Sequence, residues 1–325
     1  MQNIDAIKEL AQSLAVPFFE NEPMSRHTTF QIGGPADIYL APASGEGLSK
    51  ILELCREREI PVFVMGCGSN LLVSDSGIRG AVIQTGGAFS QIEQISACEL
   101  ECGAGARLSR LCTWAMEHSL SGLEFAWGIP GTVGGAAYMN AGAYDGEFKS
   151  VALSCQHISP EGEPGRFVGE ELRLGYRHSV YSLRAKKSAA CGSSAKDTAK
   201  SVYSNGDYVI TSVRVLLNPG EQGAIRAKMD GIMNRRKEKQ PLEFPSAGSV
   251  FKRPKGNFAG TLIEQCGLKG LTVGGARVSE KHAGFIVNTG GATCADVLEL
   301  IDKIKQRVFL QTSVELECEI KIPEA

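Results

Sequence analysis

Two glycine-rich stretches are the residues whose types and spacing most directly suggest chemistry. The first, Gly66-Cys67-Gly68-Ser69-Asn70-Leu71, follows the apolar run VFVM. A Gly-x-Gly after a strand opens many dinucleotide sites. Here the helix-packing glycine is absent and Leu71 to Val73 reads as a further short strand, so no crossover helix starts at this point. What the segment suits is a nest of backbone N–H groups around a pyrophosphate, with Ser69 and Asn70 as added side-chain donors. The second stretch, WGIPGTVGGAAYMNAGAYDGE over residues 127–147, carries Gly128, Ile129, Pro130, Gly131, Thr132, Val133, Gly134, Ala141 and Gly142. So many small residues in succession leave a flat surface against which an isoalloxazine ring or a diphosphate can lie, because glycine leaves no side chain in the way. On this reading a side chain at Gly134 displaces the ligand from a protein that still folds. A glycine-rich turn that merely packs closely is the alternative.

Composition sets the frame for those loops. At 325 residues the chain exceeds one ordinary core, so two or three domains are expected. Its 38 glycines stand well above ordinary usage of about 7%. A net charge of -2 gives no electrostatic reason to expect nucleic acid or an anionic membrane as partner. The N-terminus, MQNIDAIKEL, has no continuous apolar run, which points to a cytoplasmic protein without membrane insertion. Ten cysteines without a C-x-x-C pair read as reduced thiols used as small apolar residues, not as a metal site.

The elements that must position the loops follow from periodicity. Ile4, Ile7, Leu10, Ala11 and Leu14 form one face of a lead-in helix, and Leu48, Ile51, Leu52 and Cys55 form that of a second, from about Leu48 to Arg58. Pro61, the strand VFVM and the strand AVIQT complete a small α/β unit up to about residue 85. Residues 86–217 change to short strands between glycine turns, with a single helix from Leu108 to Glu117. Strands are expected at Glu99 to Cys102, Val151 to Ile158, Arg166 to Val168 and Tyr208 to Leu217. The Lys/Ser/Ala-rich stretch between Arg184 and Asn205 has no apolar periodicity and reads as an exposed loop.

Asn218-Pro219-Gly220 is a turn that suits a domain boundary. The expected organisation is thus residues 1–220, in subdomains of about 1–85 and 86–220, followed by 221–325. A helix beyond the turn buries Ile225, Met229 and Ile232, and ends in Arg235, Arg236, Lys237 and Lys239, where cations suit the dipole. A last helix is capped by Thr293 and Asp296. The strand SVELECEIKI then alternates strictly, with Val314, Leu316, Cys318, Ile320 and Ile322 facing one way and Glu315, Glu317, Glu319 and Lys321 the other.

Both glycine loops, together with the entry TTFQIGGPAD, the GYRHS segment and KQPLEFPSAGSVFKRP, resemble the UDP-N-acetylenolpyruvoylglucosamine reductase (MurB) family. Several long motifs recur in family order from about Thr28 to Ile322. The resemblance implies an α+β fold: a two-subdomain FAD-binding domain of the vanillyl-alcohol-oxidase (PCMH) type, then a smaller α+β substrate domain. It implies non-covalent FAD, NADPH as co-substrate, and UDP-N-acetylglucosamine enolpyruvate as the molecule reduced. Hydride addition to an enolpyruvyl ether leaves negative charge on the neighbouring carbon and its carboxylate, so the site needs a clamp on the carboxylate and an acid. By resemblance Ser249 is the proton donor, Arg177 stands beside the carboxylate, and Glu319 is the acidic partner. Lys239, Arg253 and His282 match positions that contact substrate. The short path from Ser249 to His282 matches the compact branch of the family, which lacks a closing tyrosine loop.

Read without the family, Ser249 is a turn hydroxyl, Arg177 a surface cation and Glu319 one of several exposed strand glutamates. A flavin oxidase with covalent attachment through Cys67, and a sugar-nucleotide sensor without catalysis, are the rival functions.

Overall fold

The computed structural model describes residues 2–183 and 208–323. The Lys/Ser/Ala-rich stretch lies outside the described residues.

The first unit comprises α1 (Gln2–Ser13), β1 (Phe18–Pro23), β2 (Pro35–Leu40), α2 (Gly45–Glu57), β3 (Val62–Met65) and β4 (Ile78–Gln84). Its sheet has the order β1-β2-β4-β3, with β2 and β3 parallel to β4 and β1 antiparallel to β2. Helix α1 buries Ile7 and Ala11, as its periodicity predicts. Helix α2 begins three residues before the expected Leu48 because Ser44 caps it, accepting from the Gly47 N–H at 3.0 Å. Leu71 to Val73 is not a strand. Leu71 alone bridges to Lys321, while Leu72 and Val73 bury their side chains in two different cores.

The second unit contains β5 (Ile92–Gln94), β6 (Glu99–Gly103), α3 (Leu108–Glu117), β7 (Leu120–Ser121), α4 (Val133–Met139), β8 (Gly142–Ala143), β9 (Gly146–Glu147), β10 (Ala152–Ile158), β11 (Pro164–Val168), β12 (Val209–Leu216) and β13 (Asn218–Pro219). Five of these strands form an antiparallel sheet in the order β11-β10-β12-β6-β5. Helix α4 is a second helix where periodicity gave one, inside the glycine loop itself. Glycine's low helix propensity hides it in the sequence. Its ends are set locally: Thr132 Oγ1 accepts from the Gly135 N–H at 3.2 Å, and Asn140 takes the left-handed conformation at φ 46°.

The third unit follows in α5 (Gln222–Lys239), β14 (Ser246–Ser249), α6 (Ala259–Gln265), β15 (Thr272–Val273), β16 (Ala276–Val278), β17 (Phe285–Asn288) and α7 (Cys294–Thr312). The strands form an antiparallel sheet, β14-β17-β16-β15. Thr293 and Asp296 form the expected capping box on α7. Asp75, from the first unit, adds a second cap by accepting from the N–H groups of Cys294 at 2.7 Å and Ala295 at 3.0 Å. The alternating terminal segment is not a continuous strand. It pairs with Phe251 through Cys318 and with Leu71 through Lys321, a residue or two on each side, and the alternation breaks at Glu319, which is 9% exposed.

Core membership crosses the chain order. Ile225 and Met229 of α5 pack with the second unit's core, although they follow the turn at 218–220. Phe30, Ile32 and Leu72 pack in the third unit's core, although they precede it by about two hundred positions. Phe30 is fully buried, and the contact is pinned by Asn288 Nδ2 donating to the Phe30 carbonyl at 3.1 Å and Thr29 Oγ1 to that of Ser246 at 2.7 Å. Phe30→Ala is expected to destabilise the protein by about 3–5 kcal/mol. Urea denaturation followed by intrinsic fluorescence measures it, and a loss under about 1 kcal/mol would mean that this docking is not tight.

Candidate active site

A cleft of about 1240 Å³ opens where the three units meet. Among the residues singled out in the sequence, Ser69, Asn70, Gly128, Ile129, Pro130, Ala141, Gly142, Arg177, Lys239, Ser249, Arg253, His282 and Glu319 line it. Gly66, Cys67, Gly68, Leu71, Gly131, Thr132, Val133 and Gly134 do not line this cleft.

The first loop is built as an anion nest. Three of its carbonyls are engaged: Gly66 O accepts from Gln84 Nε2 at 2.9 Å, Gly68 O from the Thr29 N–H at 3.3 Å and Asn70 O from the Lys321 N–H at 2.9 Å. Among the described residues the N–H groups of Cys67, Gly68, Ser69 and Asn70 meet no backbone acceptor. Gly68 has φ +61°, and a Cβ there would overlap the His27 carbonyl. Free donors around a glycine in the left-handed region are what a pyrophosphate requires, and the loop therefore fits the diphosphate of FAD. Burial pushes the Cys67 thiol up, opposed by the Arg107 charge, which disfavours the thiolate a covalent link would need.

The second loop works differently from the sequence-based expectation. The N–H groups of Val133 and Gly134 already donate to the carbonyls of Ala106 and Ala104, each at 2.8 Å. The start of α4 is thus tied to the turn that follows β6. A Cβ on Gly134 would lie 2.8 Å from that of Ala104, so this glycine is required by close packing of the helix on the turn after β6. The expectation of a folded but ligand-free Gly134→Val protein is accordingly replaced. The valine lifts α4 from the turn at Ala104, and overpacking of this kind costs about 1–3 kcal/mol. A lowered melting temperature together with weakened flavin retention is the expected result; an unchanged melting temperature would refute the packing account.

Arg177, Glu319 and Ser249 come together from three distant stretches. Arg177 Nε lies 2.7 Å from Glu319 Oε1 with the N–H off the line to that oxygen, so the contact is an ion pair. Its Nη1 donates to the Gly142 carbonyl at 3.1 Å. Arg177 holds φ +58°, an uncommon conformation for a side chain of its size. The turn carrying it is clamped by buried Asn140, whose Nδ2 donates to the Gly175 carbonyl at 2.9 Å and whose Oδ1 accepts from the Lys149 N–H at 2.8 Å. Burial pushes the Glu319 carboxyl up from its ordinary value, opposed mainly by the Arg177 charge.

Ser249 ends β14, and its Oγ donates to the Phe251 carbonyl at 3.1 Å. The chain just after it runs beside Glu319, whose N–H donates to the Val250 carbonyl at 2.7 Å. Asn70 Nδ2 also donates to the Glu319 carbonyl at 3.3 Å, tying the nest to the acid.

Of the remaining candidates, Lys239 is the exposed last residue of α5. Arg253 lies 3.9 Å over the Phe258 ring, and its N–H donates to Tyr176 Oη at 3.0 Å. Burial lowers the pKa of His282, whose Nδ1 accepts from the Gly284 N–H at 3.1 Å. A neutral ring then carries its proton on Nε2. Tyr144, Tyr176 and Arg236 also line the cleft and were not singled out in the sequence as site residues. Tyr176 stands inside GYRHS and was open to detection by adjacency. Arg236 reads in sequence as one more cation at a helix end, and no local signal separates it from Arg235 or Lys237. No group of His, Cys, Asp and Glu suited to a metal ion occurs among the described residues.

The chain is similar to known proteins along most of its length. Residues 36–166 match the model of an FAD binding domain, and residues 240–323 match that of the UDP-N-acetylenolpyruvoylglucosamine reductase C-terminal domain. The chain is 45% identical to the UDP-N-acetylenolpyruvoylglucosamine reductase of Syntrophomonas wolfei, covering 93% of each chain. It is 42% identical to that of Clostridium novyi over 99% of this chain and 97% of the relative. The crystal structure of the Thermus caldophilus enzyme superimposes with a TM-score of 0.76 at 33% identity, covering 95% of this chain and 99% of that one. On these matches, which span both the flavin and the C-terminal portions, the chain belongs to the UDP-N-acetylenolpyruvoylglucosamine reductase family.

Proposed function

We propose that the chain reduces UDP-N-acetylglucosamine enolpyruvate to UDP-N-acetylmuramate with NADPH, in the synthesis of peptidoglycan precursors. It is an FAD-dependent UDP-N-acetylmuramate dehydrogenase. The observation that carries the assignment of roles is the meeting of Arg177, Glu319 and Ser249 in one cleft beside an open anion nest. Bound FAD supplies the relay by which hydride from NADPH reaches the enolpyruvyl carbon.

The chain's own residues do the rest. Arg177, fixed by Glu319 and the Gly142 carbonyl, meets the substrate carboxylate and the charge that develops beside it. The Ser249 hydroxyl delivers the proton to the second carbon; its existing partner is only a carbonyl, so the hydroxyl hydrogen can turn toward substrate. Lys239 and Arg253 supply positive charge for the diphosphate, and His282 donates through Nε2. Residues 1–220 act as the flavin portion and 221–325 as the substrate portion, with α5 buttressing the former.

The reaction belongs in the cytoplasm, where NADPH and nucleotide sugars are found, with no role for nucleic acid or membrane insertion. Among the described residues no helix is long and apolar enough to cross a membrane. The test is to purify the protein, look for a yellow chromophore released by acid, and follow NADPH oxidation. Oxidation that requires the enolpyruvyl nucleotide supports the assignment; rapid peroxide formation without it would favour an oxidase.

A further inference from the structure

Arg236, in the last turn of α5, is a buried cation to which the reaction as derived gives no task. It is 5% exposed, and among the described residues no carboxylate lies within ion-pair distance. Its Nε donates to the Trp127 carbonyl at 3.1 Å and its Nη1 to Gln240 Oε1 at 3.3 Å, while Nη2 reaches neither an acceptor nor solvent. The guanidinium carbon stands 5.0 Å from the centroid of the Tyr144 ring, whose face only weakly offsets the charge. Burial lowers the guanidinium's pKa, yet arginine stays charged in proteins, so the cleft wall retains an uncompensated positive charge.

The surrounding backbone is shaped around this group. Gly128 has φ +80°, and a Cβ there would come within 2.8 Å of Arg236 Cδ. Tyr144 and Asp145, the two residues turning the β8–β9 hairpin, both have positive φ, 48° and 64°. Such a turn favours Asn and Gly, so a tyrosine at its tip is held there against backbone preference. Gly142, whose carbonyl binds Arg177, is two residues away in the same hairpin.

The geometry points to Arg236 as the fixed counter-charge for the reduced flavin ring, a positioning residue that sets the cofactor's reduction potential. This rests on the assignment of FAD to the cleft. The ring has to reach the cleft, because Ser249, Arg177 and Glu319 act there, whereas Cys67 and Gly68 of the diphosphate nest lie outside it. NADPH gives up two electrons and one proton as hydride and leaves as NADP+, so the ring that accepts them gains negative charge. A buried cation with no internal counter-charge stabilises the reduced form over the oxidised one.

Arg236→Met and Arg236→Lys, each loaded with FAD, provide the test. Arg236→Met is expected to bind FAD within about tenfold of wild type by fluorescence titration. Its two-electron midpoint potential should fall by about 60 mV, equivalent to hundredfold weaker stabilisation of the reduced form at about 30 mV per tenfold. Its affinity for sulfite, which adds to oxidised flavin to give an anionic ring, should fall at least tenfold. Arg236→Lys should recover most of both. If Arg236→Met does not fold, Arg236→Gln is measured in its place with the same expectation. An unchanged potential and sulfite affinity in a variant that holds FAD would overturn the inference. So would a loss of FAD affinity beyond a hundredfold at constant potential, which would make Arg236 a phosphate anchor. Failure of the wild-type protein to bind FAD would instead overturn the assignment on which the inference rests.

Discussion

Ser249→Ala, loaded with FAD, should lose its yellow absorbance with NADPH at close to the wild-type rate and regain it with the enolpyruvyl substrate about 10²–10⁴-fold more slowly. The asymmetry follows from where a proton is needed. Reaction with NADPH protonates no substrate carbon, so the Ser249 hydroxyl is idle. Reduction of the enol ether creates a carbanionic centre that needs a proton at one face, and the hydroxyl at the end of β14 is the group in this cleft assigned to deliver it. Folding should be little affected, because the hydroxyl gives up a single hydrogen bond to the Phe251 carbonyl. Stopped-flow absorbance separates the two halves. Slow reaction with NADPH combined with normal recovery by substrate would remove Ser249 from the proton-donor role and assign it to the binding of NADPH.

Arg177→Met should lower turnover by about 10²–10³-fold, the usual cost of losing one donor to a developing charge. It should also make stability depend on pH in a defined direction. Burial raises the Glu319 carboxyl, and the Arg177 charge is the main force opposing that rise. Without Arg177 the folded value climbs further above the unfolded one, about 4.3. A carboxyl raised in the folded state favours folding fully below its unfolded value, and that contribution is lost as pH rises through the folded value. The variant should therefore lie nearest to wild type in acid and fall behind as pH rises through the wild-type folded value, itself above the unfolded one, approaching about 3 kcal/mol near neutrality. Adding Glu319→Gln should abolish that widening, because no buried carboxylate is left to strand. Urea titrations across pH measure all three proteins. A deficit that stays constant with pH would show that the Arg177–Glu319 pair is not electrostatically coupled.

The sequence alone determined the family, the flavin chemistry and most of the regular structure, since these rest on contiguous residues. Helix α3 falls on its predicted span, and α7 starts at its predicted caps, because amphipathic spacing and a capping box act within one turn. The motifs around Ser249 and Arg177 are legible for the same reason: each is an unbroken run. The tertiary structure alone decided which residues of those runs meet. Alternation predicts Glu319 on the exposed face with Glu315 and Glu317, yet it is buried because Arg177 and Asn70 reach it from other units, Asn70 across 249 positions. The glycine loop conceals α4, since low intrinsic propensity is overridden by packing on the turn at Ala104 and Ala106. Arg236 looks like any cation at a helix end until Trp127, Gly128 and Tyr144 close around it. Burial and charge compensation are set by neighbours remote in sequence, and local pattern carries no record of them.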